Sequence, residues 1–110
     1  MESPAAARAL SALGHEPRLQ VFRLLVRAGS PGMPAGDIVR ATGAVPNTLS
    51  THLNILSAAG LISSRRDGRS IIYNAAYDRI GEVLAFLVED CCEGNPEICG
   101  PAFATLGRCG

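Results

Sequence analysis

The middle of this 110-residue chain carries two short helical segments joined by a tight turn, with a β-hairpin directly after them. The first helix is predicted to begin near Pro34 and to end at Gly43, and the second to begin near Pro46 and to end at Gly60. Proline is favoured at the first helical position and glycine just beyond the last. Three leucines at helical spacing predict the buried face of the second helix: Leu49, Leu53 and Leu56. This arrangement is typical of a helix-turn-helix.

The predicted hairpin consists of two strand-like runs, residues 61–66 and 69–74, on either side of Asp67-Gly68. That dipeptide favours a two-residue hairpin turn. Alternation makes three side chains candidates for the inner face: Leu61, Ile71 and Tyr73. The basic residues gather around the tip: Arg65, Arg66 and Arg69. They would solubilise an ordinary hairpin, whereas in a wing that follows a helix-turn-helix they would contact DNA phosphates.

Further helices are predicted on both sides of this central unit. Residues 3–13 form a short Ala-rich helix, a second helix begins at Pro17, and a terminal helix covers about residues 77–91. The terminal helix is apolar on more than one side, so we expect the first and last helices to pack against a second chain. The predicted fold class is α+β, mainly α, a winged helix-turn-helix with N- and C-terminal dimerisation helices. Residues 1–92 would form this domain, and residues 93–110 a cysteine-bearing loop and tail.

Charge is distributed unevenly along the sequence. Residues 1–75 hold eight arginines against four acidic residues, a net charge of +4, and residues 76–110 hold two against six, a net charge of −4. A basic front part is typical of a module that contacts phosphates. The N-terminus has no signal pattern, and the longest apolar run, Val83 to Val88, is too short to span a bilayer. We therefore expect a cytoplasmic protein with no membrane partner.

Three cysteines close together in sequence indicate a sensing site. Cys91 and Cys92 are adjacent at the end of the predicted terminal helix, and Cys99 follows across a short loop. In the cytoplasm such thiols are more often ligands or redox groups than structural disulfides. Several readings stay open: a small apolar side chain packing on the helix, a site for a soft ion such as zinc, cadmium or lead, and a disulfide to Cys99 that senses oxidation. Cys109 would complete a four-sulfur zinc site, but its place in a glycine-flanked tail favours a spectator.

The second helix of the helix-turn-helix has a polar outer face. Its outward positions carry short hydroxyl and amide side chains: Asn47, Thr48, Ser50, Thr51 and Asn54. Such a face is either solvated or, near the N-terminal end of a recognition helix, suited to base edges and phosphates. The helix-turn-helix setting favours contact with double-stranded DNA.

Over about residues 8–90 the chain resembles the ArsR/SmtB family of winged-helix metalloregulatory repressors, and six short motifs match the family in order and spacing. In sequence order they are His15-Glu16-Pro17-Arg18-Leu19, Leu24-Leu25, Ser50-Thr51-His52-Leu53 with Leu56, Ala59-Gly60-Leu61-Ile62, Arg66-Asp67-Gly68-Arg69, and Tyr73. The resemblance implies a homodimer that binds palindromic operator DNA and releases it when an inducer binds. It implies DNA contact most directly for Asn47, Ser50 and Thr51, and it includes His52, which we expect to pack partly inward.

The resemblance also indicates the inducer, because ligand sites that other members of the family have are absent from this sequence. Residues 35–39, which match the family's first-described arsenic site, contain no cysteine, and the only histidines are His15 and His52. The remaining candidates resemble an arsenite-responsive subgroup with three ligands at the end of the last helix: Cys91, Cys92 and Cys99. The expected inducer is thus trivalent arsenic, as arsenite, antimonite or methylarsenite, with no organic cofactor. An arsenate-reducing enzyme is disfavoured because no arginine lies between Arg79 and Arg108 to complete its anion-binding loop.

Overall fold

The structure, a computed structural model, describes residues 1–88 as five α-helices and three short β-strands. The cysteine cluster and the proposed boundary at residue 92 lie outside the described residues. In chain order the elements are α1 (Ser3–Leu13), α2 (Glu16–Ala28), β1 (Met33–Pro34), α3 (Ala35–Thr42), α4 (Pro46–Ala58), β2 (Ile62–Asp67), β3 (Ser70–Ala75) and α5 (Tyr77–Val88). The predicted winged helix-turn-helix fold is confirmed.

The three strands form one antiparallel sheet in the order β1-β3-β2. Asp67 pairs with Ser70, so Gly68 and Arg69 form the hairpin turn. The predicted hairpin is therefore present, but its turn lies one residue later than Asp67-Gly68. Gly68 has a φ of 64°, a conformation that glycine adopts without steric cost at the first position of such a turn.

One side chain of β3 that was predicted to face inward is exposed. Ile71 is 43% exposed, whereas Ile72 on the opposite face is buried. Ile71 lies on the same face as Tyr73, but it pairs with Arg66 next to the turn, where the strand extends beyond the core. Tyr73 is half-buried and packs against the core, as predicted. Strand β1 was not predicted, since two residues are too few for a periodic pattern.

The core lies where α2, α3, α4 and α5 meet the base of the wing. The three predicted leucines of α4 are all buried, and they pack with side chains from the other elements: Val21, Phe22, Leu25, Ile38, Leu61 and Val83. Burial of each large aliphatic side chain stabilises the fold by about 1.5–3 kcal/mol. In this way the core fixes the orientation of α4 relative to α2 and the wing.

Two hydrogen bonds tie the flanking helices to this core. The Nε of Arg18 donates to the carbonyl of Ala12 at 2.8 Å and satisfies one of the free carbonyls at the end of α1. The hydroxyl of Tyr77 donates to the carbonyl of Val26 at 3.0 Å and joins the start of α5 to the last turn of α2. None of the helices within residues 1–88 is long and apolar enough to cross a membrane.

Two glycines with positive φ provide a matched test of the packing at the base of the wing. Gly32 (φ 70°) leaves no room for a Cβ, which would lie 2.6 Å from the backbone oxygen of Tyr73 and 2.7 Å from Cγ2 of Ile72. Gly68 (φ 64°) has no other atom within 4 Å of that position.

We expect Gly68→Ala to lower the free energy of unfolding by about 1 kcal/mol, from backbone strain alone. Gly32→Ala should lower it by about 3 kcal/mol, because overpacking adds to the strain.

Urea denaturation of the two variants measures this difference. Equal decreases in the free energy of unfolding would show that the backbone at Gly32 can shift to accommodate a Cβ without an energetic penalty.

Candidate nucleic-acid interface

The turn between α3 and α4 is fixed by local backbone geometry. Gly43 follows the last residue of α3 with a φ of 72° and donates its N–H to the carbonyl of Val39 at 2.8 Å. The Thr42 hydroxyl donates to the Ile38 carbonyl at 2.7 Å and accepts from the backbone N–H of Ala44 at 3.3 Å. This is a glycine C-cap reinforced by a side chain, and it sets the angle at which α4 leaves α3.

The N-terminal end of α4 is an open, polar surface. Four predicted contact residues are exposed on it: Asn47, Thr48, Ser50 and Thr51. The helix has no side-chain cap at its start and no acidic residue in its first turn. Its free N–H groups and the positive end of its dipole are therefore available to an anion. With short hydroxyl and amide side chains around them, these groups suit a DNA backbone and the edges of its bases.

His52, the fifth predicted residue on α4, is turned inward. Its side chain is 7% exposed, and its Nδ1 has no hydrogen-bond partner among the described residues. The ring centroid lies 5.5 Å from that of His15 at the start of α2, and both rings line a cavity of about 390 Å³ between the two helices. Sequence position gives a signal for this burial, since residue 52 lies three after Leu49 and four before Leu56, on the side of α4 that carries the leucines.

Burial lowers the pKa of His52 below its usual value, and the charges of His15 and Arg18 lower it further. The neutral imidazole is therefore the form that this part of the core accommodates.

The three predicted wing arginines are all exposed, but they differ in their partners. Arg66 and Arg69 make no hydrogen bond or ion pair with another side chain of residues 1–88, so their guanidinium groups are available to a ligand. Arg65 donates to the side chain of Asn74 and to the carbonyl of Pro31. The structure thus separates the wing arginines into two free cations at the tip and one that is engaged at the base.

A second surface, formed by α1 and α5, is apolar. Three leucines are exposed on these helices: Leu10 (41%), Leu84 (40%) and Leu87 (44%). Met1, Ala85 and Phe86 line a shallow cavity of about 350 Å³ together with Glu82. Large apolar side chains that cluster on the surface of a small domain commonly mark a protein interface.

The predicted ligands Cys91, Cys92 and Cys99, and also Cys109, lie outside the described residues. Within residues 1–88, no group of three or more His, Cys, Asp or Glu side chains could hold a metal ion.

The comparisons with known proteins agree with this architecture. The family model for a helix-turn-helix domain matches residues 13–65. The HTH-type transcriptional regulator YgaV of Escherichia coli (strain K12) is 37% identical over 82 residues, which cover 74% of this chain and 81% of that protein. YgaV is thus named as a transcriptional regulator and not as an enzyme.

Solved structures give the same result. The homodimeric winged helix-turn-helix DNA-binding domain of Mb0332 from Mycobacterium bovis, described as a possible ArsR-family transcriptional regulator, matches with a TM-score of 0.65 at 30% identity, over 82% of each chain. An ArsR-like transcriptional regulator from Rhodococcus sp. RHA1 matches with a TM-score of 0.74 over 88% of this chain and 89% of that one. Its identity of 24% shows the fold alone.

The buried histidine predicts a pH-dependent stability. As the pH falls below about 6.5, the unfolded chain takes up a proton at residue 52 more readily than the folded chain, so the free energy of unfolding should decrease. Urea denaturation between about pH 7 and pH 5 measures this decrease, and His52→Gln should flatten the profile over that window. A His52→Gln profile parallel to that of the wild type would show that other groups cause the pH dependence.

Proposed function

Since the chain belongs to the ArsR-type family of winged helix-turn-helix transcriptional regulators, we propose that it is an arsenic-responsive repressor. In this proposal the protein binds operator DNA as a homodimer, and trivalent arsenic bound at Cys91, Cys92 and Cys99 releases it. The observation that carries the DNA-binding half is the uncapped, acid-free N-terminus of α4 with its exposed short polar side chains.

In this proposal α4 enters the major groove with its N-terminal end first. The exposed residues Asn47, Thr48, Ser50 and Thr51 then contact base edges and phosphates, while the leucine face stays in the core. His52 does not contact DNA in this proposal, because its side chain is buried between α4 and α2; it helps to hold α4 in position.

The wing supplies sequence-independent affinity. Arg66 and Arg69 extend from the hairpin tip with free guanidinium groups and would lie against the backbone that flanks the groove. Each phosphate that such an arginine neutralises releases a condensed counterion, so binding weakens as salt is added.

The apolar surface of α1 and α5 is the proposed dimer interface. Leu10, Leu84 and Leu87 would be covered by a second copy of the chain, as a soluble domain does not usually leave such a cluster in water. The homodimeric state of the Mb0332 domain supports this assignment. Two-fold symmetry would then place two copies of α4 about one turn of DNA apart, which suits a palindromic operator.

The chemistry of the three thiols supports arsenic as the inducer. Arsenite at neutral pH is the neutral hydroxide As(OH)3, and three thiols can replace its three hydroxyl groups, with release of three waters, to form a neutral tris-thiolate. Zinc on three thiolates would instead leave a net negative centre among four neighbouring acids: Glu89, Asp90, Glu93 and Glu97. Acidic neighbours raise the cost of free thiolates, so a product without net charge is favoured.

Position in the chain connects the sensor to the DNA-binding surface. Cys91 follows Val88, the last described residue of α5, by three positions, and α5 carries the proposed dimer face. Arsenic binding at this end would favour a dimer geometry in which the two α4 helices no longer match adjacent half-sites. Useful induction needs a coupling free energy of about 1–3 kcal/mol.

A pair of serines on one face of α4 tests the DNA contacts. Ser50 and Ser57 are both exposed, and they lie seven residues, or about two helical turns, apart on the same side. On a duplex selected by the wild-type protein from a random-sequence pool, Ser50→Ala should raise Kd about fivefold through loss of one hydrogen bond. Ser57→Ala should leave Kd unchanged, and a gel-shift titration compares the two. Equal effects would show that α4 does not enter the groove by its N-terminal end.

Titration of arsenite into the protein–DNA complex tests the inducer. Fluorescence anisotropy of the labelled duplex should fall as arsenite releases the wild-type protein. The variant with Cys91, Cys92 and Cys99 all replaced by Ser should stay bound, while Cys109→Ser should behave like the wild type. Release of the triple variant, or no release of the wild type, would contradict the arsenic assignment.

The same assay separates the two alternatives that share this fold. A thiol-redox regulator would release DNA with diamide, and mass spectrometry would find a disulfide to Cys99. A zinc, cadmium or lead sensor would respond to the divalent ion, and X-ray absorption would show four sulfur ligands if Cys109 takes part.

A further inference from the structure

The loop between α2 and β1 is held against the base of the wing by three side-chain hydrogen bonds, and a fourth joins the two wing residues that donate them. Nη1 of Arg65 donates to Oδ1 of Asn74 at 2.5 Å, and Nη2 donates to the carbonyl of Pro31 at 2.9 Å. Nδ2 of Asn74 donates to the carbonyls of Gly29 and Ser30 at 3.2 and 3.0 Å. One arginine and one asparagine thus satisfy three consecutive carbonyls of the loop.

These bonds join parts of the chain that are far apart in sequence. The bonds from the wing to the loop connect residues that are 34 to 45 positions apart in the sequence. The hairpin also pairs with strand β1, which contributes only two residues to the sheet. Gly32, in the same loop, approaches β3 so closely that a Cβ there would overlap the backbone of Tyr73. The loop therefore holds the wing in addition to the contacts that the base of the wing makes with the core.

The strand register assigns different surfaces to two adjacent arginines. Arg65 lies opposite Ile72 and shares its face of the hairpin with Asn74, and the loop around Gly32 packs against this face. Arg66 lies opposite the exposed Ile71 and leaves on the other face. The planar guanidinium of Arg65 presents its donors in a fixed fork, and the fork is occupied by Asn74 and Pro31.

We propose that Arg65 and Asn74 form a latch that sets the position of the wing, so that Arg65 acts in DNA binding as a positioning residue and not as a phosphate contact. This inference rests on the proposed DNA-binding function. The latch holds the hairpin so that Arg66 and Arg69 at its tip reach the DNA backbone. When it is lost, the hairpin samples more orientations and fewer of them bring the tip to the phosphates.

Salt dependence distinguishes a positioning residue from a phosphate contact. Arg65→Gln and the matched neighbour Arg66→Gln each remove one positive charge from the same strand. Removal of a phosphate contact lowers the magnitude of the negative slope of log K against log salt by about one, where K is the association constant. We expect that decrease for Arg66→Gln. Arg65→Gln should raise Kd about five- to tenfold while the slope stays at the wild-type value, since the two hydrogen bonds that Arg65 donates to Asn74 and Pro31 are lost.

Asn74→Leu provides an independent test without any change of charge. It breaks the latch but leaves Arg65 in place, so its Kd should rise as much as that of Arg65→Gln, and the double variant should be no weaker than either single variant. If Arg65 binds phosphate directly, Asn74→Leu should have little effect and the two changes should be additive. Circular dichroism melts of each variant confirm that the fold is intact.

The measurements use full-length protein and a duplex of about 30 base pairs, long enough for two half-sites one helical turn apart, selected by the wild-type protein from a random pool. A salt-dependence slope whose magnitude falls by about one in Arg65→Gln, or additive increases in Kd in the double variant, would overturn the latch while the DNA-binding function stands. Failure of the wild-type protein to bind any duplex would instead overturn the function itself.

Discussion

Burial of the leucine face of α4 is the constraint on which the rest of the structure depends. Leu49, Leu53 and Leu56 are almost completely removed from water, and this fixes the rotation of the helix about its axis. The opposite face then carries only short polar side chains, and the glycine turn before Pro46 sets the direction in which its free N–H groups point. Because α2 and the base of the wing pack against the same leucines, one core places both proposed DNA-contacting elements.

The helices at the two ends of the described chain have an apolar surface, in contrast to the polar outer face of α4. The outer sides of α1 and α5 keep exposed leucines that their own core does not cover, and the sequence that follows α5 holds adjacent cysteines. A ligand bound beside a dimer helix can change the spacing of two DNA-binding units without touching either one. Linkage of this kind needs only a small difference in ligand affinity between two dimer geometries.

Local sequence patterns were sufficient to predict the helix-turn-helix, the hairpin and the buried face of α4. They failed where the outcome depends on contacts between distant segments. The turn lies at Gly68-Arg69, one residue later than predicted, and Ile71 is exposed because the end of the strand next to this turn extends beyond the core. The bonds of Arg65 reach a loop 34 residues away, and no periodicity indicates such a partner. The contact residues on α4 and the cysteine site remain predictions that rest on chemistry and family resemblance.

The account is tested most directly by mapping the DNA-binding surface residue by residue. Amide chemical shifts of the isotope-labelled protein, recorded as a selected duplex is added, report which backbone groups meet the DNA. The largest changes should fall at the start of α4, over residues 46–51, and at the wing tip, over residues 66–69, while α5 from Tyr77 to Val88 changes little. Changes concentrated on α5, with the start of α4 unaffected, would contradict the central claim that α4 is the recognition helix.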